Sequence, residues 1–166
     1  PDLLPLLQED LADCPVSPER LVFQISHASV NTAFPTIQET MRQLHSLGCR
    51  VGIDGFGAGV FSFHELRDLP VDYVKVSGGL VRGLATDPAS SLALKTSSLL
   101  AQGFGRKLVA VEVDSPAVLE ALEPFGIDYV RGAHLGGALP PDKAFDPDDR
   151  SRGPASSAGG YDLLIL

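Results

Sequence analysis

The chain has 166 residues, a net charge of −8, 44 % apolar residues and 20 % charged ones. That length supports one domain with a real core, and the acidic balance excludes a nucleic-acid surface, which needs clustered Lys and Arg against phosphates. Two cysteines, Cys14 and Cys49, are too few for a disulfide framework and lie in no CxxC pair, so they read as reduced apolar fillers in a cytoplasmic setting.

In chain order, "PDLLPLL" opens without Met and with helical spacing, as a piece of something longer would. No signal peptide pattern is present, and no run reaches the ~18 apolar residues of a membrane span. A cytoplasmic chain of this kind can still belong to a larger, membrane-attached protein. Five short apolar runs follow: "RLVFQIS" (20–26), "CRVGID" (49–54), "DYVKVS" (72–77), "KLVAVEV" (107–113) and "DYVRGA" (128–133). Near-continuous apolarity is how strands buried on both faces of a parallel sheet read.

Helical spacing lies between the runs. In 34–48, Ile37, Met41, Leu44 and Leu47 form one stripe, with Thr36 as expected cap and Gly48 past the end. In 87–105, Asp87 caps, Leu92, Leu99 and Leu100 form the expected core stripe, and Gly103 or Gly105 ends the helix. In 115–126, Ser115 caps and Pro116 takes the first helical position. Repeated strand and helix mean βα units, in a doubly wound sheet or a barrel. Residues 141–166 are expected to be a flexible acidic, Pro-, Gly- and Ser-rich tail ending on the apolar "YDLLIL", which either docks or frays.

Parallel α/β folds bind ligands at the carboxyl ends of their strands. The residues there are Gln24 with Ser26 and His27, Asp54, Lys75 with Ser77, Glu112 with Asp114, and Arg131 with His134. A polar group inside an apolar strand costs about 1–3 kcal/mol unless paired. Lys75 therefore faces either a ligand or a carboxylate, Asp54 or Glu112. His27 reads as a satisfied surface residue, and Gln38, Arg42 and His45 as the wet face of a helix. Gly55, Gly57 and Gly59 suggest a phosphate loop only weakly, because no Lys-Ser/Thr follows.

These segments resemble, in order and spacing, the EAL domain, the cyclic di-GMP phosphodiesterase family of bacteria. Members read approximately LEITE, an L-x-x-L-x-x-x-G helix, DDFGTGYSSL, LPVDxLKID, AEGVE and QGYLFxKP. This chain has "VFQIS", "MRQLHSLG", "IDGFGAGVFSFHELRDLPVDYVKVS", "AVEVD" and "RGAHLGGALP". The resemblance spans roughly residues 1–140 and implies an α/β, TIM-barrel-like fold of which only the C-terminal part is here. Five strands do not close such a barrel, so its edges need further chain.

The resemblance implies a metal site of carboxylates at strand ends, holding magnesium or manganese beside a lysine. Most of it is missing. The Glu of LEITE matches Gln24; the paired Asp match Asp54 and Gly55; the Asp of KID matches Ser77; the lysine survives as Lys75. The Glu of AEGVE falls on Val111, with Glu112 one place later, on the wrong face of a regular strand. The Gln of the last motif matches Arg131. The implied reading is a domain without catalytic residues or metal, with Gln24, Asp54, Lys75, Glu112 and Arg131 as the ligand-binding set. It would serve as a cyclic di-GMP receptor, a protein-interaction scaffold, or both. Phe56, Phe61 or Tyr73 is a candidate for stacking on guanine, with core packing the expected fate of at least two of them, and the 55–68 region is a candidate for a homodimer or protein contact. A pure adaptor and, less favoured, an altered phosphodiesterase are the alternatives.

Overall fold

The computed structural model describes residues 3–12, 16–57, 63–135 and 162–163. Helix α1 (Leu3–Ala12) precedes β1 (Val22–Ser26), α2 (His27–Thr32), α3 (Phe34–Ser46), β2 (Arg50–Phe56), α4 (Phe63–Asp68) and β3 (Tyr73–Val76). Then come α5 (Gly78–Gly83), α6 (Pro88–Gly103), β4 (Lys107–Ala110), α7 (Pro116–Leu122), β5 (Tyr129–Val130) and β6 (Asp162–Leu163).

The strands form one parallel sheet in sequential order, β1 to β6. Sequential order with helical crossovers is the wiring of a singly wound barrel wall. A doubly wound sheet reverses direction at a switch point, so the order decides between the two architectures the sequence left open. Of the tail, Asp162 and Leu163 pair beside Tyr129 and Val130; residues 141–161 lie outside the described residues.

Strand alternation sorts the side chains. Val51, Ile53, Val74, Val76, Leu108, Ala110 and Val130 are buried beneath the helices. Gln24, Asp54 and Lys75 lie on the opposite face, Asp54 level with Lys75 and Gln24 level with Gly52, two residues before Asp54 on β2. At Gly55 (φ +83°) the β2–β3 register shifts, inserting one extra residue. That bulge returns Phe56 to the core side, where it is 1 % exposed. Gly55 is thus a bulge residue rather than part of a phosphate loop, and Phe56 is unavailable for base stacking. Tyr73 meets Tyr129 edge-on at 5.8 Å, and Phe61 lies outside the described residues.

Several local expectations hold. Asp87 caps α6 through the amides of Ala89 and Ser90, Ser115 caps α7, and Gly48 takes φ +85° after α3. Others are corrected. The N-cap of α3 is Ala33; Thr36 lies inside the helix, where its carbonyl accepts from the Thr40 hydroxyl. His45 is no wet-face residue: it pairs with Asp72 at 2.8 Å and is half-buried.

Helix α6 turns Leu92 and Leu99 outward, while Leu100 packs against the core as expected. Leu92 and Leu99 are 67 % and 63 % exposed, and the buried face is Ser90, Leu94, Ser97, Ser98 and Ala101. Small serines allow close approach to the sheet, and their hydroxyls are satisfied locally: Ser97 donates to the Ala93 carbonyl and Ser90 to Asp87. Cys49 is buried and free, and burial pushes its thiol pKa up, as fits an inert filler; Cys14 lies outside the described residues. No described helix is long and apolar enough to cross a membrane.

Candidate functional site

The strand ends open into a cavity of about 490 Å³ lined by Asp54, Lys75, Ser77, Glu112, Asp114 and Arg131, among others. Four of the five expected ligand-binding residues therefore share one cavity. The fifth, Gln24, joins through Lys75. The register sets Lys75 directly beside Asp54. Its Nζ donates to Asp54 Oδ2 at 3.2 Å and, reaching over β2, to Gln24 Oε1 at 3.0 Å. Gly52, the residue of β2 level with Gln24, puts no side chain in the way.

The lysine side chain is 12 % exposed and the aspartate's is 44 %. A nearly buried ammonium needs such partners, since desolvation opposes its charge. Of the two carboxylates open to it from sequence, Asp54 is the partner and Glu112 is not.

Glu112 pairs instead with Arg82, which sequence reasoning missed. Nothing in the spacing of α5 singles Arg82 out, because the contact joins two crossovers. Beta-4 ends at Ala110, so the wrong-face objection to Glu112 does not apply: it lies past the strand, at φ +61°, and its side chain returns to the cavity. It falls where the AEGVE motif has its glycine, and the left-handed backbone explains why glycine suits that position.

The floor is laced by the loops after β4 and β5. Val113 N–H donates to the Arg131 carbonyl at 3.0 Å, and Ala133 N–H donates to Asp114 Oδ1 at 3.0 Å. Gly132 packs so tightly on Val113 that a Cβ would come within 2.1 Å of its carbonyl oxygen. These bonds hold the backbone of Arg131, whose side chain is exposed. His134 is exposed and outside the cavity lining, and Ser26 is committed to capping α2. His27 is buried rather than at the surface, with Nε2 3.0 Å from Glu65 Oε2 of α4.

A divalent-metal centre needs a dense set of anionic oxygen ligands. Among the described residues the candidate donors are engaged otherwise. Gln24 is neutral, Asp54 faces an ammonium, Glu112 faces a guanidinium, and Asp114 accepts from backbone. Among the described residues no group of three or more His, Cys, Asp or Glu gathers in metal-binding geometry.

Comparison with known proteins supplies the context. The EAL domain model matches residues 1–138. A cyclic di-GMP phosphodiesterase of Shewanella oneidensis, PdeB, is 35 % identical over 102 residues, covering 61 % of this chain and 12 % of its own length. PdeF of Escherichia coli, also a cyclic di-GMP phosphodiesterase, is 28 % identical over 130 residues, 78 % of this chain and 17 % of its own. The solved EAL domain of FimX from Pseudomonas aeruginosa, bound to c-di-GMP, superposes with a TM-score of 0.76 at 30 % identity, covering 82 % of this chain and 56 % of that one. The chain thus spans a fifth or less of these two curated relatives and just over half of that solved domain.

Proposed function

The chain belongs to the EAL domain family, and from that premise we propose that it is a regulatory module of cyclic di-GMP signalling that binds the dinucleotide without hydrolysing it. The observation that carries this reading is the Lys75 ammonium held between Gln24 and Asp54. That ammonium stays at the strand ends where Gln24, Gly55 and Ser77 replace the acids of the family's motifs, so positive charge remains beside positions that lack the motif's ligands. Lys75 and Arg131 then meet phosphodiester oxygens as charge-assisted donors, Arg131 in a forked geometry. Among the described residues no group of three or more His, Cys, Asp or Glu gathers to hold a metal that would activate a water, which supports binding without cleavage.

The test is calorimetric titration of cyclic di-GMP into the whole protein, first with magnesium and then with chelator, with the nucleotide recovered afterwards. Equal binding in both, with the nucleotide unchanged, supports the receptor. Magnesium- or manganese-dependent cleavage sinks it.

A second reading, an interaction scaffold, draws on the exposed Leu92 and Leu99 of α6. Two leucines seven residues apart on one helix face suit a protein contact. Loss of a homodimer or partner complex on Leu92→Ser/Leu99→Ser, with nucleotide binding intact, would favour it.

A further inference from the structure

Among the described residues Glu112 is the one non-glycine with positive φ, at +61°. The left-handed region is disfavoured for a residue with a Cβ, so contacts must hold Glu112 there. Two do. Its carboxylate pairs with Arg82 of α5, and it fills the space over Gly78 that a side chain at that position would need. The same carboxylate side chain lines the cavity with Lys75 and Arg131.

We propose that the Glu112–Arg82 pair is an internal latch, in which the Glu112 carboxylate is a resident anion that lowers the cavity's affinity for a phosphodiester. The proposal rests on the reading of this cavity as a cyclic dinucleotide site and adds its regulation. An anionic side chain in the cavity repels an incoming phosphate and offsets the pull of Lys75 and Arg131. It also occupies Arg82, a third cation, which stands outside the cavity lining and meets it through Glu112.

The latch is weakly closed. The Arg82 and Glu112 side chains are 62 % and 43 % exposed, so water and salt screen their attraction. The closed form is held only by a screened pair, so a modest ligand preference tips it. A phosphate that takes Arg82 releases Glu112.

The experiment is titration of cyclic di-GMP into the whole protein as wild type, Glu112→Gly and Glu112→Gln, each first checked for a cooperative melt. Glu112→Gly removes both the charge and the strain and should bind about 5- to 20-fold tighter than wild type. Glu112→Gln removes the charge alone and should fall between them. Adding Arg82→Ala to Glu112→Gly should take back the part of the gain that the freed Arg82 supplies. Equal affinity in wild type and both single variants overturns the latch and leaves the receptor reading standing. No heat from any of three folded proteins overturns the receptor reading, and the latch with it.

Discussion

Lys75 Nζ lies 3.2 Å from Asp54 Oδ2 because parallel strands β2 and β3 set residues 54 and 75 side by side on the same face of the sheet. Lysine and carboxylate are thus fixed by backbone register rather than by flexible side chains meeting by chance. The site's charge balance follows from that placement.

Lys75→Met keeps the apolar stem and deletes the charge. Asp54 is partly exposed, so water replaces much of the lost partner, and stability should fall by only about 1 kcal/mol. Binding should suffer more, since a charge-assisted hydrogen bond is worth about 1.5–3 kcal/mol, or tenfold and upward in affinity. Chemical denaturation and calorimetry on one preparation separate the two. A variant that binds as well as wild type removes Lys75 from the site.

Restoring carboxylates should restore metal binding. The triple variant Gln24→Glu/Ser77→Asp/Val111→Glu adds three acids at the strand ends around Asp54. Its melting temperature should rise with manganese and fall back with chelator, by about 2.7 kcal/mol of stability at a hundredfold excess over Kd. Wild type should melt identically in both. A manganese-dependent rise in wild type would show that the resident donors suffice for a metal after all.

Two glycines should respond oppositely to alanine. At Gly132 the new methyl would press on the Val113 backbone, with its carbonyl oxygen 2.1 Å away, and that oxygen has no room to retreat. Gly132→Ala should cost about 2–3 kcal/mol or more and displace Arg131. At Gly103, the last residue of α6, nothing lies within 4 Å. Gly103→Ala should stabilise by about 0.5–1 kcal/mol. Urea midpoints of the two variants, compared with wild type, decide the matter; equal effects would mean the loop after β5 yields.

Asp87 predicts an acid limb in the stability curve. The Ser90 hydroxyl, then the Ala89 amide, hold its carboxyl below the usual carboxylate range, with the Ser90 amide adding to them. The folded pKa is lowered, so the stabilisation is fully present above the unfolded value near 4 and fades as pH falls through the folded one. Asp87→Ala should therefore melt lower than wild type at pH 7 by a few degrees, and the gap should narrow below about pH 4. A constant gap from pH 7 to pH 3 would mean the cap acts without its charge.

Much of this protein is legible in its residues. The five apolar runs give strands at the expected places, because the sheet face beneath the helices demands apolar residues. Asp87, Ser115 and Gly48 announce helix ends by local chemistry alone. That Gln24, Gly55, Ser77 and Val111 stand where the resembled motifs have acids is visible because a motif fixes which residue each strand end presents.

The tertiary structure decided what depends on contacts between distant segments. Periodicity assigns Leu92 and Leu99 to one stripe of α6 but carries no sign for inside or outside, and the sheet chose the serine face. The bulge at Gly55 turned Phe56 into the core. Lys75 had two carboxylates open to it, and strand register chose Asp54. Glu112 found Arg82 only because β4 ends at Ala110 and the chain turns left-handed two residues later, toward a helix that begins more than thirty residues earlier. Local chemistry sets elements and their ends. Charge pairing is a long-range property, and it was settled only when the strands lay side by side.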